Sequence, residues 1–188
     1  GGGRKQFLPS DASGSRTDSR NLISELQALG YNYASTLSEM NAAGTDKPLL
    51  GLFNGSHLSY ELDRVKTAGS TEPSLSDMTT KAIDVLSQKE KGFFLMVEGG
   101  RIDHALHETT AKKALQDTVA FDNAIKAAIE KAKLTDPTLA NTLIVVTADH
   151  DHTLVLNGYA KRTGKTAAGN PGVLGLVKNY VTGAVEKD

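Results

Sequence analysis

The sequence of 188 residues contains no cysteine, which excludes disulfides and thiolate metal sites. It also has no excess of either charge, since 21 Lys and Arg against 22 Asp and Glu give a net charge of −1. That balance is not typical of proteins that bind nucleic acid or an anionic membrane. No apolar run approaches the roughly 18 residues that a membrane-spanning helix needs. We therefore predict no nucleic-acid binding and no membrane span, and any metal site has to use histidine and carboxylate.

What is present indicates a globular domain. The chain is long enough for one domain with a sizeable hydrophobic core, and its 23% of charged residues is ordinary for such a domain. Helical spacing of apolar residues predicts three helices, at about 18–29, 36–43 and 74–86. Asp18 is a candidate N-cap, and Ser74 and Asp77 have the spacing of a capping box. The apolar run PLLGLF at 48–53 predicts a short buried strand.

The middle of the chain predicts a strand, a helix and a second strand. GFFLMVE at 92–98 and NTLIVVTAD at 141–149 are continuous apolar runs that each end in a carboxylate. Apolar runs without alternation are typical of strands buried on both faces of a parallel sheet. Between them, a helical pattern at about 104–132 has an apolar face that includes Leu115 and Val119. This βαβ order, with a right-handed crossover, predicts the α/β class, with a mostly parallel central sheet flanked by helices.

Polar residues gather where both predicted strands end. Parallel strands joined in this way end at the same edge of the sheet, which is where open α/β folds bind ligands. Near that edge lie RIDHALHE at 101–108 and TADHDHT at 147–153, which contain four of the five histidines. The side chains expected to converge are Glu98, Asp103, His107, Asp149 and His150.

These residue types are the ligands of a cysteine-free metal site. Asp103 and His107, four positions apart, lie on one face of a helical turn, and Asp149 and His150 follow a strand, so each pair can bind one ion. Two such pairs predict two metal ions, an arrangement used in phosphoryl transfer. Glu98 has no histidine nearby in sequence, and a lone carboxylate suits magnesium.

Simpler interpretations compete with the metal site. A single Asp and His at helical spacing is usually part of a solvated helix face, and the whole group is also compatible with a hydrogen-bonded loop cluster. His57 stands alone in a loop and is expected to be a surface histidine. Arg101 is expected to form an exposed salt bridge or, alternatively, to contact phosphate. The convergence of both pairs at the ends of adjacent strands favours metal binding.

The same motifs resemble a known family. MVEGGRIDHALHE at 96–108 and VTADHDHT at 146–153 resemble the two metal-binding signatures of the alkaline phosphatases. GGGRK at 1–5 and GFFLMVEGG at 92–100 resemble the same family, especially its animal-type and marine bacterial branch. The resemblance runs over most of residues 1 to about 160. It implies an alkaline phosphatase-like fold, and hydrolysis of phosphate monoesters through a covalent phosphoserine, with two Zn²⁺ and one Mg²⁺ as cofactors.

The resemblance also implies roles for individual residues. The implied metal ligands are Asp103 and His107 for the first zinc, Asp149 and His150 for the second zinc, and Glu98 for the magnesium. His152 matches a position whose imidazole hydrogen-bonds a zinc-binding carboxylate, and such partners fix the orientation of a ligand. His104 falls at a position where family members differ, some having lysine, and where the side chain contacts phosphate through water.

Part of the family pattern is missing. The family's nucleophilic serine lies in an Asp-Ser-Ala context upstream of the region that GGGRK resembles, and neither that serine nor the phosphate-binding arginine is found. SDASGS at 10–15 is in the wrong place to supply the serine. We therefore expect a central, incomplete fragment, with 1–159 as part of the core and 160–188 as the start of an inserted loop-rich region. We predict that the isolated 188 residues are catalytically inactive, with no catalytic residue of their own.

Two alternatives stay open at this point. The parent protein is alternatively a phosphodiesterase or sulfatase relative on the same scaffold, or the chain is a stand-alone metal-binding module without catalysis. The resemblance alone implies small phosphate monoesters as substrates, a homodimer, and a periplasmic or extracellular localisation.

Overall fold

The computed structural model describes residues 1–154, so the predicted inserted region at 160–188 lies outside the described residues. The helices are α1 (Leu22–Ala28), α2 (Leu37–Ala42), α3 (Glu61–Lys66), α4 (Leu75–Leu86), α5 (Arg101–His107) and α6 (Ala111–Ala132), and the strands are β1 (Asn32–Ala34) and β2 (Leu49–Gly51). Two short 3-10 helices, Arg4–Phe7 and Ser10–Ala12, precede α1. Within the described part, no helix has the length and apolar character needed to cross a bilayer.

Capping side chains define where two of the predicted helices begin. The hydroxyl of Ser74 accepts the backbone N–H of Asp77 at 3.1 Å, and the Asp77 carboxylate accepts the Ser74 N–H at 2.9 Å. Thr36 and Glu39 form the same reciprocal pair at the start of α2. Each box satisfies backbone donors that a helix end leaves unpaired. The capping box predicted at Ser74 is therefore confirmed.

The start of α1 differs from the prediction. The helix begins at Leu22, and the side chain of Asn21 caps it by accepting the N–H of Ser24 at 3.1 Å. Asp18 is not the N-cap, because its carboxylate is paired with the guanidinium of Arg16.

The small sheet is parallel. β1 and β2 pair through α2 as the crossover, and Tyr33 lies opposite Leu50 in the register. β2 confirms the strand predicted at 48–53, whereas β1 had no apolar run to indicate it. The buried cluster beside this sheet contains Ala34, Met40 and Phe53, with Leu37, Leu49, Leu58 and Met78 packed against it. The sheet and α4 therefore share one core.

The helix predicted at 104–132 is two helices. α5 ends at His107 and α6 begins at Ala111, and between them Thr109 has a left-handed backbone with φ of 57°. The hydroxyl of Thr110 donates to the carbonyl of Ala105 at 3.1 Å, which secures the turn. This break lets α5 pack back onto α6.

The buried face of α6 differs in part from the predicted one. Leu115 and Val119 are 44% and 53% exposed, whereas Ala114, Asp117 and Ala124 are buried. Small side chains on the inner face allow α6 to approach α4 and α5 closely. The predicted apolar face also included Ala111, Ile125 and Ile129, and these three are half-buried.

The two predicted buried strands are also wrong for the described part of the chain. Neither 92–98 nor 141–149 is a strand there. Phe94 is 89% and Leu143 is 87% exposed to solvent. A strand buried on both faces needs neighbours at its edges and over its faces, and no strand among residues 1–154 pairs with either run. The βαβ unit predicted around them is not formed within this part of the chain.

Candidate metal centre

Helix α5 presents Asp103 and His107 on one face, as their spacing predicted. The Nε2 atom of His107 lies 3.4 Å from the Oδ1 atom of Asp103. Ala105, between them in sequence, is fully buried in a cluster with Ala114 of α6. The face of α5 that contains Ala105 packs on α6. Asp103 and His107 lie on the opposite side of the helix, so this packing fixes the backbone positions from which they project.

The second motif reaches the same carboxylate from far along the chain. His150 Nε2 is 3.8 Å and His152 Nε2 is 3.9 Å from Asp103 Oδ1. The rings of His107 and His152 meet edge to face with centroids 4.7 Å apart. Ligand atoms of Asp103, His107 and His152 all lie within 4.8 Å of one another. The predicted convergence is therefore present in the structure for Asp103, His107 and His150, and His152 joins them.

The unpaired oxygen of Asp103 fits a bound cation. Asp103 Oδ1 is buried and has no hydrogen-bond partner, and such atoms in a folded protein need an explanation, which an ion can give. Two ligands at roughly 2.0–2.1 Å from a tetrahedral zinc lie about 3.3 Å apart. The 3.4 Å between Asp103 Oδ1 and His107 Nε2 is close to that spacing. The pair thus fits zinc coordination with little movement.

Backbone contacts set different tautomers for the other two imidazoles. The Nδ1 atom of His150 lies 2.7 Å from the carbonyl of Asp151, so it donates, and the neutral ring keeps a lone pair on Nε2. The Nδ1 atom of His152 accepts the backbone N–H of Thr153 at 2.9 Å, so its Nε2 carries the proton. His150 is therefore suited to bind a metal through Nε2, whereas His152 is suited to donate to Asp103.

Asp149 and Glu98 lie at the margin of this cluster. The Asp149 carboxylate is 90% exposed and lies 3.7 Å from His150 Nε2. Hydrogen bonding to the Asp151 carbonyl, followed by the charge of Asp149, raises the pKa of His150. Glu98 is exposed and its carboxylate lies over Gly100. Neither acid belongs to the group formed by Asp103, His107 and His152 among the described residues.

A second group of side chains adjoins α5, and no sequence pattern predicted that its members meet. The guanidinium of Arg101 lies 3.6 Å from the ring centroid of Tyr60 and donates to His104 Nδ1 at 2.9 Å. The imidazoles of His57 and His104 lie 4.4 Å apart. Burial, then the charges of His57 and Arg101, lowers the pKa of His104. His57 is exposed, as predicted, but it is not isolated.

Tyr60 joins this group to the core. It is 4% exposed and packs against Ala105 and Ala114, and burial raises its pKa to about 12, with a further contribution from Glu108. No local pattern indicated Tyr60, since the residues that it contacts lie far away in sequence.

The comparisons with known proteins agree with one another. A family model described as alkaline phosphatase matches residues 1–179. The membrane-bound alkaline phosphatase of Bombyx mori is 46% identical over 176 residues, which cover 86% of this chain and 30% of that protein. The tissue-nonspecific isozyme of alkaline phosphatase from Gallus gallus is 39% identical over 195 residues, which cover 94% of this chain and 34% of that protein. The chain thus spans about a third of the length of these relatives.

Solved structures of alkaline phosphatases match the fold of this chain. The crystal structure of Thermus thermophilus alkaline phosphatase matches with a TM-score of 0.64 and 34% identity, over 72% of this chain and 27% of that one. A cold-active alkaline phosphatase from Shewanella sp. matches with a TM-score of 0.58 and 33% identity, over 71% and 29%. These neighbours confirm the predicted α/β class.

Proposed function

The chain belongs to the alkaline phosphatase family, and we propose that the protein containing it is a metal-dependent phosphomonoesterase. The observation that carries the proposal is the buried, unpaired Oδ1 of Asp103, which has His107, His150 and His152 within 3.4 to 3.9 Å. Histidine and carboxylate at these distances are the ligand set of a zinc enzyme without cysteine.

We assign the ligands as follows: Asp103 and His107 to a first Zn²⁺, Asp149 and His150 to a second Zn²⁺, and Glu98 to a Mg²⁺. Support for His150 comes from its Nδ1 contact with a carbonyl, which leaves Nε2 free to bind. Metal ions bound in such a centre supply Lewis acidity and lower the pKa of an oxygen nucleophile.

The remaining polar residues orient the ligands and the substrate. We propose that the Nε2–H of His152, 3.9 Å from Asp103 Oδ1 in this structure, donates a hydrogen bond to that carboxylate when the metal is bound and so orients it. We propose that His104 contacts an oxygen of the phosphate group through water. In this proposal the ester is cleaved through a phosphoserine intermediate. The serine is not identified among the 188 residues, so the isolated chain is expected to be inactive.

The first experiment is a zinc count by native mass spectrometry on the chain, purified without chelator and supplied with zinc. One or two tightly bound zinc ions, lost on Asp103→Ala or Asp149→Ala, are the expected result. Asp122→Ala is the matched control, because Asp122 is an exposed acid on α6. A folded chain that binds no zinc, or variants that bind as much as the parent, would contradict the ligand assignment.

A second experiment separates the enzyme classes. The protein expressed from its complete gene is expected to hydrolyse a chromogenic phosphate monoester, while the 188-residue chain is expected not to. Faster hydrolysis of a diester or a sulfate ester would identify one of the related enzymes on this scaffold instead. Zinc binding without hydrolysis of any ester by the complete protein would indicate a metal-binding module.

The cellular setting is part of the same proposal. We propose small phosphate monoesters as substrates, a homodimer, and a periplasmic or extracellular localisation. Support for the localisation includes the similarity to a relative described as membrane-bound. Cell fractionation followed by light scattering of the purified protein tests the localisation and the dimer.

A further inference from the structure

Tyr60 contacts two cations beside the proposed centre. The guanidinium carbon of Arg101 lies 3.6 Å from its ring centroid, and the Lys113 ammonium lies 4.5 Å from it. Stacking of a planar guanidinium on an aromatic face combines cation–π attraction with close packing. Tyr60 is itself anchored in the buried cluster with Ala105 and Ala114. The ring is therefore a fixed platform for Arg101.

The stacked guanidinium determines which nitrogen of His104 carries a proton. Arginine only donates hydrogen bonds, so Nη1 of Arg101, 2.9 Å from His104 Nδ1, requires that Nδ1 accept. The neutral ring then carries its proton on Nε2. The ring of His57 lies 4.4 Å from that of His104 and contacts the same imidazole. His104 is thus left with a single donor, Nε2–H.

We propose that Tyr60 is a positioning residue of the phosphatase site, which acts through Arg101 to hold His104 as the Nε2–H donor for an anionic oxygen of the substrate. The consequence for the substrate rests on the proposed function, whereas the tautomer of His104 does not. Lysine at position 101 would not replace this arrangement, because an ammonium lacks the planar fork that stacks and donates at the same time.

The test is ¹⁵N solid-state NMR of the protein expressed from its complete gene, labelled at histidine and stripped of metal. His104→Asn assigns the signal. The expected spectrum has a protonated-type shift at Nε2 and an unprotonated-type shift at Nδ1. Tyr60→Phe keeps the ring and is expected to leave both shifts unchanged. Tyr60→Leu removes the platform and is expected to give averaged shifts from a mixture of tautomers.

The matched control is His57→Ala, which removes the neighbouring ring but keeps the bond from Arg101. Its His104 tautomer is expected to equal that of the parent protein. A parent protein whose His104 is protonated on Nδ1 at neutral pH would overturn the proposal, and this result does not depend on how well any variant folds. Averaged shifts in Tyr60→Phe, or unchanged shifts in a folded Tyr60→Leu protein, would also overturn it.

Inorganic phosphate extends the test to the zinc-loaded protein. Loss of one well-oriented donor to a charged oxygen is expected to weaken phosphate binding about tenfold in Tyr60→Leu and not in Tyr60→Phe. The positioning role and the proposed function can be contradicted independently of each other. The predicted tautomer in a protein that hydrolyses no phosphate ester would remove the proposed function and leave the positioning role. An Nδ1–H tautomer of His104 in a protein that hydrolyses phosphate esters would remove the positioning role and leave the proposed function.

Discussion

Both carboxylate oxygens of Asp117, on α6, lie 3.3 Å from the backbone N–H of Glu61, at the start of α3. The contact joins two helices far apart in sequence and caps an N-terminus with an acid, the arrangement that the helix dipole favours. It also places a carboxylate in the interior. Burial raises the pKa of Asp117 to about 6, and the hydrogen bond from Glu61 only partly opposes that effect.

This raised pKa predicts a specific dependence of stability on pH. The folded carboxyl binds its proton more tightly than the unfolded one, so the free energy of unfolding falls as pH rises from about 4 to about 6. The loss from this group is roughly 2 to 3 kcal/mol. Asp117→Asn keeps an acceptor for the Glu61 N–H but does not titrate. Urea unfolding is measured between about pH 4 and pH 6. The free energy of unfolding of Asp117→Asn, minus that of the parent, is expected to increase by roughly 2 to 3 kcal/mol as pH rises through this range. A difference that stays constant with pH would contradict the assignment.

The capping box at Ser74 predicts a loss of stability without a loss of metal. Ser74→Ala removes the acceptor for the Asp77 N–H and is expected to cost about 1 kcal/mol in the free energy of unfolding. Denaturant unfolding measures this change. Zinc stoichiometry is expected to stay the same, because α4 supplies no proposed ligand. Ser87→Ala, at the far end of the same helix, is the control and is expected to change neither quantity.

Gly99 predicts a packing defect close to the centre. A Cβ atom there would lie 3.1 Å from Cδ1 of Ile102 and 3.3 Å from the side chain of Phe121. Gly99→Ala is therefore expected to force the Ile102 and Phe121 side chains to shift by a few tenths of an ångström and to cost about 1 kcal/mol. Thermal unfolding tests the cost, and a zinc titration tests whether the shift reaches the proposed ligands on α5. Gly55→Ala is the control, since the nearest atoms there belong to the flexible side chain of Lys5.

The two tautomers at the centre predict unequal effects on zinc affinity. His152→Ala removes a donor to a ligand and is expected to weaken zinc binding about 10- to 100-fold. His150→Ala removes a proposed ligand and is expected to weaken it further. Competition against a coloured zinc chelator measures both affinities, with His57→Ala as the control. Equal zinc affinities for the His150 and His152 variants would contradict the proposal that His150 is a metal ligand and His152 a hydrogen-bond donor to one.

Acid is expected to release zinc at a pH set partly by His150. Its pKa is raised, first by the Asp151 carbonyl and then by the Asp149 carboxylate. Protons therefore compete with zinc at a higher pH than an ordinary histidine would allow. In the chelator assay, Asp149→Asn removes a proposed ligand of the ion that His150 binds, so it is expected to move the midpoint of zinc release to higher pH. A midpoint that stays in place or moves to lower pH would contradict the assignment.

Local chemistry explains which parts could be predicted. The box at Ser74 and the pair of Asp103 and His107 depend on spacings of three and four residues, which the sequence displays directly. The break at Thr109 was missed because the apolar pattern continues across it. Tyr60 and Arg101 meet only after α3, α5 and α6 have packed together, so no window of sequence contains that contact. Phe94 was expected to be buried. Its burial requires neighbouring strands and helices, and an apolar run in the sequence does not show whether those neighbours are present.

The two apolar runs at 92–98 and 141–149 have a consequence for biosynthesis. They are rich in β-forming side chains and contain no proline, as in segments that template strand addition between chains. As long as both stay uncovered, the yield of soluble protein depends on concentration and on chaperones more than on the free energy of unfolding. A lysine introduced at Val145 would act as a gatekeeper against self-association. The two segments that precede the proposed metal ligands are thus also where the chain is most prone to aggregate.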